Sequence, residues 1–261
     1  MKFGICTDIE WVSEVKKAGF DYIELKAYDV ALAGEEKFWE IQRELAMAGL
    51  PCEAVNFFYP PSLSVVGPQI DKQQISSYIG RALERCERLG VRMITVGSSK
   101  SRRIPDGFSE REAREQFSGQ LYQIGERAKA FGAVVAIEPI RPSSTNFINT
   151  IAQAAEVCRM TGHPAVRVMA DYYQMYGAGD NVEEIAHRRE LICHLHTIEL
   201  ERKCYPVNLE DDGQIALFQA YGGERASIEG ADFTDVDTAA AALKAMRHYE
   251  EQGAKVKNNK R

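Results

Sequence analysis

One unit recurs along this chain: the end of an amphipathic helix, a glycine, one to four linking residues, then a short apolar run. It appears as "VKKAGFDYIEL", "LAMAGLPCEAVNF", "CERLGVRMITVGS", "AKAFGAVVAIEP", "CRMTGHPAVRVMAD" and "FQAYGGERASIEG". Glycine suits the junction because a helix commonly ends on a left-handed residue, the conformation that costs glycine least. The apolar runs are short and lack strict alternation, as parallel strands buried on both faces do. Adding "KFGICT" near the start and "LICHLHTIE" further on gives eight strands. Segments between them, such as "DKQQISSYIGRALERCERLG" and "SEREAREQFSGQLYQIGERAKAFG", carry a helical period with one charged face. Eight strand–helix units in 261 residues predict an α/β fold, a (β/α)8 TIM barrel. A doubly wound open sheet is the competing layout, but no GxGxxG follows the first strand to support a dinucleotide fold. Nothing resembles an interdomain linker, so the expected organisation is one barrel domain over 1–252 and a basic tail over 253–261.

Composition narrows the function. A formal charge of −6 argues against a phosphate-backbone binder, so nucleic acid is not an expected partner. No apolar run is long enough to span a membrane, and the start "MKFGICTDIEW" is too short and too charged for a signal peptide. Six widely spaced cysteines without a CxxC pair read as reduced thiols rather than a disulfide frame or a structural zinc module. The expected setting is the cytoplasm.

A barrel presents its chemistry at the C-terminal ends of its strands, where the βα loops converge. Four consecutive strands finish there on a metal-ligand type: "AVVAIEP" on Glu138, "VRVMAD" on Asp171, "ICHLH" on His196 and "RASIE" on Glu229. Two glutamates, an aspartate and a single imidazole suit one divalent ion such as Mn²⁺, Mg²⁺ or Co²⁺ better than a structural zinc. The alternative is a buried polar network at the barrel mouth without a metal.

These residues carry a resemblance. The pieces "IEPIRPSSTNFINT", "MADYYQM", "HLHTIELER" and "SIEG" make the chain similar, over essentially its whole length, to the xylose isomerase-like barrel superfamily. Within it, the chain resembles the sugar phosphate isomerase/epimerase group of ketose 3-epimerases, hydroxypyruvate isomerases and inosose-processing enzymes. The resemblance implies that Glu138, Asp171, His196 and Glu229 bind one divalent cation, with Mn²⁺ expected first and Mg²⁺, Co²⁺ or Zn²⁺ as alternatives. It further implies a small-molecule carbohydrate substrate whose adjacent carbonyl and hydroxyl oxygens the metal holds, stabilising an enediolate. Glu138 and Glu229 would then be catalytic, one removing a proton and the other returning one to the opposite face. Arg202, six residues after His196, matches an arginine that touches substrate oxygens in the epimerases. His194 reads as a core histidine of the layer beneath.

The chain also departs from the epimerase pattern. Gln174 stands where those enzymes carry a substrate-binding histidine, and Ser144 where they carry a second glutamate. Both remain candidate substrate contacts, now unable to titrate. The loop "GSSKSRRIPDGF" places Lys100, Arg102 and Arg103 at the mouth, where they could hold a phosphate or carboxylate. Phe58, within "NFFYPP", could wall the pocket. A lyase or dehydratase acting on a keto sugar or inosose is the second functional reading, and a non-catalytic sugar-binding barrel the third. A trinuclear-zinc repair nuclease of the same fold needs more histidines than the five present. The substrate, the native metal and the oligomeric state, homo-oligomer included, stay open at this stage.

Overall fold

A computed structural model describes the backbone of residues 1–258 and the side chains through 255. Among the described residues eight strands close into one barrel in sequence order, every neighbour parallel. They are β1 (Lys2–Cys6), β2 (Tyr22–Lys26), β3 (Cys52–Asn56), β4 (Met93–Val96), β5 (Val134–Ile137), β6 (Val166–Asp171), β7 (Ile192–Thr197) and β8 (Arg225–Ile228). The helices around them are α1 (Val12–Ala18), α2 (Ala27–Leu32), α3 (Glu35–Ala48), α4 (Lys72–Leu89), α5 (Glu110–Ala130), α6 (Ile151–Thr161), α7 (Tyr172–Ala178), α8 (Val182–His187), α9 (Asp212–Tyr221) and α10 (Val236–Asn258). The expected fold class is therefore the observed one. The six junction glycines all take positive φ, between 56° at Gly222 and 94° at Gly19. Among the described residues no helix is long and apolar enough to cross a membrane.

The expected boundary at residue 252 falls inside α10, which continues to Asn258. Gly253 is buried there, where an added Cβ would meet the backbone nitrogen of Gln219 at 2.9 Å. The expected tail is thus helical over 253–258, with Gly253 seated against Gln219 of α9. Residues 259–261 lie outside the described residues.

Two layers of side chains explain how the barrel holds a site. Outward strand positions such as Ile5, Ile23, Val55, Ile94, Ile137 and Val168 join the large core beneath the helices. Inward positions form a separate small cluster of Tyr22, Ala54, Met93, Ala136 and Met169 that fills the barrel's lower half. Gly4 admits the Tyr22 ring, which occupies the space a Cβ would need. Period 2 then dictates what comes next along each strand: two residues beyond the apolar plug, the inward positions are Glu24, Asn56, Thr95, Glu138, Asp171 and, above His194, His196. A dry plug below and a polar layer above leave the inward groups at the C-terminal strand ends facing the mouth.

Candidate active site

Glu138, Asp171, His196 and Glu229 each offer a donor atom, and these atoms all lie within 4.8 Å of one another. Strand order makes the arrangement an arc: β5, β6, β7 and β8 are neighbours, so Glu138 and Glu229 stand at its two ends. Glu138, Asp171 and His196 are buried, and Glu229 is partly open to the cleft beside it. One Asp171 oxygen is fixed by the first turn of α7, where Oδ1 accepts from the Gln174 backbone N–H at 2.8 Å. Its other oxygen lies 3.7 Å from His196 Nδ1, and Glu229 Oε2 lies 3.3 Å from the same nitrogen. Glu138 is admitted by Gly97, since a Cβ there would overlap its carboxylate.

The chemistry of this group is that of negative charge crowded out of water. Burial pushes the Glu138 carboxyl well above its ordinary range, and the charges of Glu229 and Asp171 push it further. Burial also raises Glu229, to about 7, although His196 pulls against it. At Asp171 burial raises the carboxyl, but the nearby charge of His196 outweighs it and holds the carboxyl below its usual range. Buried carboxylates this close repel unless a cation joins them. His196 Nδ1 is buried among them with no hydrogen-bond partner. Once His196 gives up its Nδ1 proton, that nitrogen and three carboxylates facing one point form the donor set that an oxygen-preferring divalent ion takes.

Behind the imidazole stands Glu24, which sequence reasoning missed. Its Oε1 lies 3.0 Å from His196 Nε2 and its Oε2 3.1 Å from His194 Nε2. Ser227 Oγ donates to Oε2 at 2.7 Å and shares a 2.9 Å bond with the Tyr22 hydroxyl. Despite burial, the two imidazoles hold the Glu24 carboxyl well below its ordinary pKa. A carboxylate on the far nitrogen fixes the ring's tautomer and aim, as second ligands of metal-binding histidines do. The signal was legible: "DYIELK" interrupts an apolar run with a carboxylate, as "VVAIEP" does. Cys6, Glu24 and His196 form a second cluster of possible ligand atoms. Burial and then the Glu24 charge push the Cys6 thiol well up, which favours it as a neutral packing group.

A cleft of about 460 Å³ opens beside Glu229, lined by Asn56, Phe57, Lys26, Trp11 and Phe233 among others. Trp11 and Phe233 stack with centroids 5.1 Å apart. Asn56 Nδ2 approaches Glu229 Oε1 at 3.4 Å.

Several expected contacts lie elsewhere. Phe58 is fully buried, edge-to-face with Tyr59 and Tyr78, and Phe57 faces the cleft in its place. The reason is backbone: Phe57 takes φ 46°, which breaks the strand alternation just past β3. Arg102 is buried, donating to the carbonyls of Val96 and Ile148, and its charge acts on Glu138 from beneath the loops. Lys100 and Arg103 are exposed outside the cleft. Ser98 and Ser101 bond the Tyr59 backbone N–H and the Pro60 carbonyl, which shows the 98–103 loop to be a tie between βα loops. Arg202 points outward, its side chain 69% exposed and 3.5 Å from Glu199. Ser144 lies half-buried in the turn that Arg141 starts. Gln174 does stand beside the cluster, with Oε1 accepting from the Arg141 N–H at 3.3 Å.

A closed parallel barrel with acid-rich strand ends at one mouth defines a class of protein, and the chain belongs to it: the xylose isomerase-like TIM barrel family model matches residues 12–246. Among characterised relatives it is 25% identical to the 3-dehydro-D-guloside 4-epimerase of Escherichia coli (strain K12) over 197 residues, 72% of each protein. Its fold superposes on an E. coli 3-keto-D-glucoside 4-epimerase with TM-score 0.76 at 21% identity, covering 95% of this chain and 99% of the other. An L-ribulose 3-epimerase gives TM-score 0.80 at 18% identity, covering 98% and 97%.

Proposed function

We propose that the protein is a sugar epimerase that inverts a carbon next to a carbonyl, with a divalent cation held by Glu138, Asp171, His196 and Glu229. The observation that carries this reading is the convergence of three carboxylates on His196 Nδ1, a buried nitrogen without a hydrogen-bond partner. The E. coli relative, an epimerase of a keto-glycoside, supports the same class of chemistry. Manganese is the first expectation, with magnesium, cobalt and zinc as alternatives. When bound, the cation would supply Lewis acidity that polarises a substrate carbonyl.

The chain's own residues do the rest. Glu138 and Glu229 flank the arc from opposite ends, so a sugar carbon between them meets a carboxylate on each face. One removes the proton, and the other delivers a proton to the far face, which is what inversion requires. Asp171 is a poor proton carrier because α7 fixes one of its oxygens. Glu24 and His194 orient His196 from below. Trp11 and Phe233 offer a sugar ring an apolar face beside Glu229. All six cysteines are unpaired, which supports a reducing, cytoplasmic setting.

The test is solvent exchange. In D₂O with Mn²⁺, NMR across a panel of ketoses, 3-keto sugars and keto-inositols should show deuterium entering one carbon beside the carbonyl, together with the second epimer. Loss of a hydroxyl or cleavage of a bond would favour a lyase instead. No exchange with any keto sugar would overturn the epimerase reading.

A further inference from the structure

Three residues of the βα loops, outside the carboxylate group, gather around one phenol ring. Arg141 follows β5, Tyr173 lies in the first turn of α7 after β6, and Lys203 lies in the loop after β7. The Arg141 guanidinium sits 4.2 Å from the Tyr173 ring centroid, and the Lys203 ammonium sits 5.1 Å from the same centroid. Arg141 Nε donates to Ser143 Oγ at 3.0 Å. Among the described residues neither cation forms an ion pair with a carboxylate, although carboxylates are abundant on this chain.

We propose that Arg141, Lys203 and the Tyr173 hydroxyl form an oxyanion site at the rim, which selects substrates bearing a carboxylate or phosphate away from the reacting carbons. Like charges drawn to one phenol repel, and an anion between them relieves that repulsion. Arg141 is held in place. An added Cβ at Gly177 would lie 2.8 Å from Arg141 Cδ, so α7 is shaped to let the arginine lie across it. Lys203 takes φ 53°, a conformation a lysine seldom adopts without compensation. The backbone of Arg141 is tied through Gln174 to Asp171, in steps of 3.3 and 2.8 Å. The site rests on the proposed sugar chemistry for its meaning.

Calorimetric titration of the Mn²⁺-loaded full chain with D-glucose, D-glucuronate and D-glucose 6-phosphate tests it without turnover. At least one charged sugar should bind about tenfold or more tightly than glucose, the order of one charge-assisted contact. Which one binds tighter tells a carboxylate from a phosphate. The advantage should shrink at high salt and vanish in the Arg141→Gln, Lys203→Gln double variant. Equal binding of charged and neutral sugars, no binding by any, or an advantage that survives the double variant overturns the proposal. Failure here leaves the solvent-exchange result untouched, and failure of exchange leaves this binding preference untouched.

Discussion

Glu24 holds His196 by the ring nitrogen that faces away from the other carboxylates, with Oε1 3.0 Å from Nε2, and so leaves Nδ1 aimed into the group formed by Glu138, Asp171 and Glu229. The orientation of one imidazole thus depends on a carboxylate that makes no direct approach to the cation position. Replacing Glu24 by Gln keeps the shape and removes the charge. Mn²⁺ affinity should then fall by about 10–100-fold while the barrel still folds. Calorimetric Mn²⁺ titration and circular dichroism measure the two effects separately. Unchanged affinity would mean that the ring is aimed by packing alone.

Gly97 and Glu138 make a steric pair of the same importance. A methyl at position 97 would occupy the space of the Glu138 carboxylate. Gly97→Ala should therefore cost about 1–3 kcal/mol of stability, as overpacking does, and should displace Glu138 from the ligand group. Urea denaturation measures the first effect, and a Mn²⁺ titration the second. Wild-type metal affinity in this variant would show that Glu138 is dispensable as a ligand.

Metal affinity should rise with pH. Burial holds Glu229 at about 7 and Glu138 higher still, so a cation must displace the protons they carry. Each proton displaced weakens binding by about tenfold per unit as pH falls below that range. The metal-free protein should show the opposite trend. Carboxyls whose folded pKa is raised contribute stability that is present below the unfolded carboxyl value, near ~4.3, and is lost as pH rises through about 7. Urea midpoints between about pH 5 and 8, with and without Mn²⁺, measure both trends. Midpoints of the metal-free protein that stay flat across this window would contradict the assignment.

The strand ends were legible in the sequence for a physical reason: a carboxylate or imidazole that closes a buried apolar run has nowhere to point but the mouth. Glu138, Asp171, His196 and Glu229 announce themselves in that way. Glu24 carries the same signal and escapes only when attention is confined to the later strands. Loop residues carried no such constraint. Past Asn56 the positive φ of Phe57 destroys the alternation that would have told Phe57 from Phe58. The burial of Arg102 was invisible because its partners are main-chain carbonyls, and backbone groups leave no mark in a sequence. A basic, polar composition does not by itself stop a helix, and α10 runs on to Asn258.

The most direct test of the two-carboxylate mechanism follows the carbon-bound proton in Glu138→Gln and Glu229→Gln at saturating Mn²⁺. Gln presents an oxygen but lacks useful basicity, so both variants should still bind the ion, more weakly, and lose at least about 10²–10⁴-fold in turnover. Starting from one epimer in D₂O, one variant should abolish washout of the carbon-bound proton while the other retains it; starting from the opposite epimer, the roles should exchange. Near-normal turnover in either variant with metal bound, or identical washout in both from both epimers, would contradict proton transfer by two glutamates on opposite faces.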